Sequence, residues 1–182
     1  MKNVIIIHGS PDQTEYYSTE HPSPSNSHWI PWLQKQLTLS DVISVAPEMP
    51  KPYDPIYSEY LGTFKDYTIT NETILIGHSS GGGFLLRYLS ENPSLVPAKV
   101  ILVAPWIDPG KELTTPFFDF EIDSQLSDRT DVHLFQSSDD SETCISSFEI
   151  IERSLSNITY HKFEDRGHFT IKEFDELLAV FL

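Results

Sequence analysis

Thr73-Ile74-Leu75-Ile76-Gly77-His78-Ser79-Ser80-Gly81-Gly82-Gly83 is the stretch on which the reading of the fold turns. Its first four residues form an apolar run of strand length, and the apolar segment Gly81–Leu89 that follows directly reads as a helix. Between them stands G-x-S-x-G, formed by Gly77, Ser79 and Gly81. The motif is short enough to arise by chance, so the strand before it and the helix after it give it its meaning. A strand that turns sharply into a helix puts the serine at the tip, in a backbone conformation that costs about 1–3 kcal/mol. Small residues two positions before and two after the serine relieve crowding where strand and helix meet, which accounts for Gly77 and Gly81. The hydroxyl then stands at the amino end of a helix, whose dipole favours developing negative charge. A Walker phosphate loop needs a Lys after its last glycine, and here Phe84 follows Gly83. The dinucleotide pattern G-x-G-x-x-G is absent as well.

Working outward, short apolar runs rich in Val and Ile recur at Val4–Ile7, Val42–Val45, Thr73–Ile76, Lys99–Val103, Val132–Phe135 and Ile158–Phe163. Most lack polar alternation, as expected of strands buried on both faces of a parallel sheet. Helical stretches are predicted between them at Ser27–Leu37, Gly81–Leu89, Ile145–Leu155 and Phe174–Leu182. Alternating strand and helix argues for an α/β sheet covered by helices on both faces, in one domain over residues 1–182. Two segments break the alternation. Ser10–Asn26, rich in Ser, Pro, Thr and Tyr, reads as a long loop after the first strand; Pro105–Arg129 carries Trp106, Phe117, Phe118 and Phe120 among prolines and acids. Long loops in compact domains tend to be functional, and both leave the carboxyl ends of strands, where open α/β sheets bind ligands.

Composition narrows the partners. Twelve basic against 27 acidic residues give a net charge of −15, a field that would repel nucleic acid and anionic membranes. Neither is an expected partner. The single cysteine, Cys144, excludes an internal disulfide and any zinc site built on cysteine pairs. No apolar run approaches the roughly 18 residues needed to span a bilayer. No signal peptide is expected ahead of the first strand, and the cytoplasm is the default location.

A serine hydroxyl is a poor nucleophile near neutral pH, so a base must take its proton as it attacks. The order Ser, then Asp or Glu, then His, each past a strand end, is available here. Asp139 and Asp140 follow the run Val132–Phe135, and His168 follows Ile158–Phe163 within Glu164-Asp165-Arg166-Gly167-His168-Phe169. Adjacent residues point in different directions, so one aspartate alone can meet His168, while the other would cap the following helix; Asp165 is a third candidate. His133 and His161 fall inside predicted strands and read as structural. The ring of His78 is expected to point away from the reacting centre, and His28 to begin a helix. Neither H-E-x-x-H nor another close metal spacing occurs, so no catalytic metal and no cofactor are expected. Two oxyanion donors are needed: the N–H of Ser80 and, from the turn His8-Gly9-Ser10, the N–H of Ser10. Losing one such donor typically costs about 10²–10³ in rate.

Taken together, these residues resemble the small serine hydrolases related to YdeN and the retinoblastoma-binding protein hydrolases. The resemblance rests on Ile6-Ile7-His8-Gly9, on His28-Trp29 through Pro31-Trp32-Leu33, on Gly77-His78-Ser79-Ser80-Gly81, on the aspartate pair and on Gly167-His168-Phe169. It implies the α/β-hydrolase fold: a mainly parallel six-stranded sheet in the order 2-1-3-4-5-6, with helices on both faces and no large lid. It also implies a Ser-His-Asp triad with esterase-like activity, with Asp140, the second of the pair, as the acid. Family members commonly follow that acid with an apolar residue and a proline, whereas Ser141-Glu142-Thr143-Cys144 follow here. The L-x-C-x-E motif tied to retinoblastoma binding is missing, so that partner does not carry over, and the protein partner stays unknown.

The resulting expectation is a carboxylesterase-like serine hydrolase acting on small acyl esters, thioesters or amides. Trp106 and Phe117 are candidates for an apolar acyl pocket, as are Tyr16 and Tyr17. With about 25 residues between the fourth and fifth strands, a large lid is not expected. The rival reading is a hydrolase-like protein that binds a partner or small ligand without turnover.

Overall fold

A computed structural model describes residues 3–181. Six strands form one parallel sheet in the order β2-β1-β3-β4-β5-β6, as expected. They are β1 (Asn3–Ile7), β2 (Ile43–Val45), β3 (Thr73–His78), β4 (Lys99–Val103), β5 (Asp131–Ser137) and β6 (Ile158–Phe163). The larger helices are α2 (Ile30–Leu39), α3 (Tyr57–Phe64), α4 (Ser80–Glu91) and α6 (Glu142–Ser154). Short helices α1 (Gln13–Tyr17), α5 (Leu126–Arg129) and α7 (Asp175–Leu178) fill the connections.

Period-two alternation splits the buried residues of each central strand between two cores. Ile5, Ile7, Leu75, Val100, Leu102, Val132 and Leu134 face α3, α4 and α6, meeting Tyr60, Phe64, Phe84, Leu89 and Ile151. Val4, Ile6, Ile74, Ile76, Ile101, Val103 and Phe135 face α2 and α7, meeting Trp29, Leu33, Leu37 and Leu177. Because both faces are covered, β3 is buried at all six of its positions and reads as an unbroken apolar run rather than an alternating one.

The structure corrects several sequence-based expectations. Ser10–Asn26 is not a plain loop, since it holds α1 and a 3-10 turn at Pro24–Asn26. His28 does not begin α2; its backbone is left-handed (φ 55°), and the helix starts at Ile30 with Pro31 in its first turn. The predicted carboxyl-terminal helix is a four-residue α7 followed by a 3-10 turn at Ala179–Phe181, and its expected end at Leu182 lies outside the described residues. Phe117 is no pocket residue. It is fully buried, with its ring 4.8 Å from both Tyr60 and Phe118. Trp106 packs edge-on against Phe118 at 5.5 Å. Phe117 and Leu126 anchor the β4–β5 connection in the core at two points. Among the described residues, no helix is long and apolar enough to cross a membrane.

The first turn of α4 lies directly against the end of β1. A Cβ added at Gly81 would strike the main-chain oxygens of Ile7 and His8, backbone atoms that cannot swing aside. Gly62, on an exposed turn of α3, has open space where a Cβ would go. The two positions should respond oppositely to one added methyl. Gly81→Ala is expected to destabilise by about 1–3 kcal/mol or more. Gly62→Ala should stabilise by about 0.5–1 kcal/mol, the usual difference between Gly and Ala inside a helix. Thermal or urea denaturation of the two variants beside the parent protein measures both.

Candidate active site

In a parallel sheet every strand ends on the same rim. Ser10, Ser79, Asp140 and His168 follow β1, β3, β5 and β6 there. Ser79 links β3 to α4 with φ 53° and ψ −125°, a strained conformation for a residue with a side chain. The surrounding hydrogen bonds hold it. Its N–H donates to the Val103 carbonyl at 2.9 Å, and its own carbonyl accepts from Gly82, Gly83 and Trp106 at 2.9, 3.2 and 3.0 Å. The loop after β1 passes close by: a Cβ at Gly9 would come within 2.9 Å of the Ser79 Cβ.

Asp140, not Asp139, meets the histidine. Both Asp140 carboxylate oxygens lie 3.0 Å from His168 Nδ1, and the Asp140 side chain is 2% exposed against 32% for the imidazole. An Nδ1–H donated to this carboxylate leaves the Nε2 lone pair free to accept a proton. Burial alone would depress the His168 pKa, but hydrogen bonds to Asp140 and Cys144 outweigh it and hold the pKa above the ordinary 6.5. The Cys144 sulfur lies 3.5 Å from the same Nδ1.

Asp139 does not cap α6, contrary to expectation. Ser141 does, its hydroxyl accepting the Cys144 N–H at 3.3 Å. Asp139 instead braces the histidine loop, accepting the Ser137 hydroxyl at 2.5 Å and the Gly167 N–H at 2.8 Å. These bonds, the Ser137 hydroxyl first, hold its carboxyl below the usual range. Asp165 is 87% exposed and paired with Arg166 at 3.9 Å.

Ser10 and Ser80 are joined through their hydroxyls at 2.7 Å, which ties the loop after β1 to the first turn of α4. The first N–H groups of a helix have no partner within it, and Ser80 opens α4. His8 anchors the same loop: Nδ1–H donates to the Gly9 carbonyl at 2.8 Å, and Nε2 accepts the Met49 N–H at 2.9 Å. Burial keeps that ring neutral by lowering its pKa.

Ser79 and His168 line one cleft of about 200 Å³, together with Ser10, Glu15, Tyr16 and His28 among others. Sequence reasoning missed the part played by two histidines. His78 borders this cleft instead of turning away, and its Nε2–H donates to the His168 carbonyl at 2.8 Å, positioning the loop. Burial first, and the nearby His168 second, hold the His78 pKa well below its ordinary value. His28 reaches the cleft through its left-handed backbone. Both lay within the motifs that carry the family resemblance, but neither motif tells which way a ring points. Trp106 and Phe117 are not among the cleft-lining residues.

The family model described as the alpha/beta hydrolase fold matches residues 2–125. YdeN of Bacillus subtilis (strain 168) is 34% identical over 90 residues, which span 48% of this chain and 42% of that protein. The crystal structure of the ydeN gene product superposes with a TM-score of 0.82 at 25% identity, covering 100% of this chain and 97% of that one. Est1E from Butyrivibrio proteoclasticus, solved with ferulic acid bound, gives a TM-score of 0.66 at 14% identity, covering 99% and 86% of the two chains. That last likeness is one of fold.

The division between the two aspartates is open to test by imidazole NMR. Asp140→Asn should move the His168 pKa down toward 6.5, because the opposing carboxylate charge is gone. Asp139→Asn should leave that pKa nearer the parent value and lower the melting temperature instead. The sign of the linkage follows from the raised pKa. The stability contributed by the His168–Asp140 pair is fully present below pH 6.5 and is lost as pH rises through the folded-state pKa.

Proposed function

We propose a serine-hydrolase reaction for this chain, which belongs to the alpha/beta hydrolase fold family. One observation carries the reading: Ser79, on a strained turn at the head of α4, lines the same cleft as His168, whose Nδ1 faces Asp140 at 3.0 Å. A cleft that holds a serine hydroxyl and an oriented imidazole is suited to acyl transfer.

In the proposed cycle, Ser79 Oγ attacks the carbonyl carbon of the substrate while His168 Nε2 takes the hydroxyl proton. Asp140 stabilises the imidazolium that forms and keeps the remaining proton on Nδ1. The N–H groups of Ser80 and Ser10 stabilise the tetrahedral oxyanion. His168 then gives its proton to the leaving alcohol, thiol or amine, leaving an acyl group on Ser79. Water attacks the acyl carbon as His168 takes its proton, and His168 returns that proton to Ser79 Oγ as the acid product departs.

The size and lining of the cleft support a small substrate. At about 200 Å³ it is smaller than pockets that enclose drug-sized ligands, about 300–1,000 Å³. Tyr16, Pro22, Pro24 and Ile30 supply apolar lining, which suits a short acyl chain. A small ester is the reading we favour, with thioesters and amides sharing the same acyl chemistry.

Ser79→Ala should abolish labelling by a fluorophosphonate probe and lower turnover of a short-chain p-nitrophenyl ester by about 10⁴–10⁶-fold. Asp140→Asn should lower kcat by about 10⁴. The pH profile is a second check. Only neutral His168 can accept the serine proton, so kcat/KM should rise with pH and reach its midpoint above 6.5, since the pKa is raised. Folded parent protein that takes up no probe would refute the reading and leave binding without turnover.

A further inference from the structure

The mechanism leaves one side chain at the triad unused. Cys144 stands in the first turn of α6, is 4% exposed, and points its sulfur at the edge of His168 that already faces Asp140. The thiol sulfur, the imidazole Nδ1 and a carboxylate oxygen of Asp140 all lie within 4.8 Å of one another. Nδ1 carries one proton at most, so the carboxylate and the sulfur compete for it.

The geometry points to a binding site for a thiophilic divalent cation, zinc above all, on Cys144, His168 Nδ1 and Asp140, whose occupation switches the triad off. The ligand set suits the metal. Thiolate, imidazole and carboxylate are the three donor types that zinc takes from proteins, and three protein ligands leave a fourth position for water. Two of the three donor–donor edges suit it too, and the third, sulfur to carboxylate, is within 4.8 Å. Zn–N of about 2.0–2.1 Å and Zn–S of about 2.3 Å at a tetrahedral angle require an N···S edge of about 3.5 Å, and the observed separation is 3.5 Å. The N···O edge needs about 3.3 Å by the same geometry, against 3.0 Å observed, a shift of a few tenths of an ångström. The net charge of −15 favours the approach of cations.

Binding is off-switching because of where the proton must go. A metal on Nδ1 needs the lone pair there, so the single imidazole proton moves to Nε2. The thiol releases its proton to water as the sulfur becomes a thiolate. Starting from a neutral imidazole, one cation is taken up and one proton is released, a protonated ring giving up one proton more, and no electrons move. Nε2 now carries hydrogen and cannot take the proton of Ser79, while Asp140 is engaged by the metal. Magnesium and calcium prefer all-oxygen sites and should not compete.

Loss of turnover rests on the serine-hydrolase reading; binding does not, and the two are separable by experiment. Chelator-treated protein is titrated with zinc chloride by calorimetry and with cobalt(II) chloride by absorbance, using the parent, Ser79→Ala, Cys144→Ala and Cys144→Ser, each checked for cooperative thermal unfolding. One ion per chain is expected in the parent and in Ser79→Ala, with a thiolate-to-cobalt charge-transfer band. Both cysteine variants should lose that band and at least about 10–100-fold in zinc affinity, since even outer-shell changes at metal sites cost that much. Zinc, but not magnesium, should inhibit ester hydrolysis by the parent in step with occupancy, and a chelator should restore it. Undiminished affinity in both cysteine variants would overturn the site and locate the ion elsewhere, the His133–His161 pair at 2.9 Å being the next candidate. So would the absence of the charge-transfer band. Stoichiometric cysteine-dependent binding without inhibition would overturn the switch. If the parent hydrolyses nothing, the activity reading fails while the cobalt spectrum still decides the site.

Discussion

Gly81 lets main chain pack against main chain, and Gly9 lets the loop after β1 pass the Ser79 side chain, at distances that leave no room for a Cβ. The close approach of α4 to the end of β1 fixes where the helix begins, and the helix start fixes the serine in its unusual backbone geometry. The adjoining hydrogen bonds, donated to the Val103 carbonyl and accepted from the Trp106 N–H, then hold that geometry against its own strain. Nothing about the hydroxyl itself is unusual. Its chemical environment is a product of backbone packing, with the Ser10–Ser80 and His8–Met49 bonds securing the neighbouring loop.

The histidine side of the cleft is organised differently. His168 sits between two left-handed residues, Gly167 and Phe169; its loop is secured by side-chain hydrogen bonds and by the buried Phe169 ring packed on Phe163 and Phe174. Asp139 takes the Gly167 amide, His78 takes the His168 carbonyl, and Asp140 takes the ring. Each of these three groups acts on a different part of one short segment. The buried neutral His78 is a donor in a place where a second positive charge would disfavour a protonated His168.

Much of this was legible in the chain. Lys99–Val103 and Ile158–Phe163 coincide with β4 and β6 because each is a short run with an abrupt polar or Pro boundary. The elbow at Ser79 could be read because a buried strand, small residues and an apolar helix agree. What could not be read has local causes. α3 follows a stretch with Pro47, Pro50, Pro52 and Pro55, has no side-chain cap at Ile56 and carries Gly62 inside it, so its helical signal is weak. α1 is five residues long with none buried, which leaves no apolar periodicity to detect. The aromatic residues at Trp106 and Phe117 announce burial, but not whether they are buried against a ligand or against the core. Choosing between Asp139 and Asp140 depends on the direction of two adjacent side chains, which only the turn itself determines.

That turn has a consequence for how the protein can diverge. One aspartate stitches the neighbouring loop and the very next one orients the imidazole, so adding or deleting a single residue between β5 and α6 would exchange the two jobs or abolish both. The connection after β1 is secured near its start and carries its remaining contacts on separate short helices, which leaves its middle able to lengthen or shorten. Diversification of specificity within such a framework would be expected to accumulate on the β1 side of the cleft, with the histidine side fixed in length.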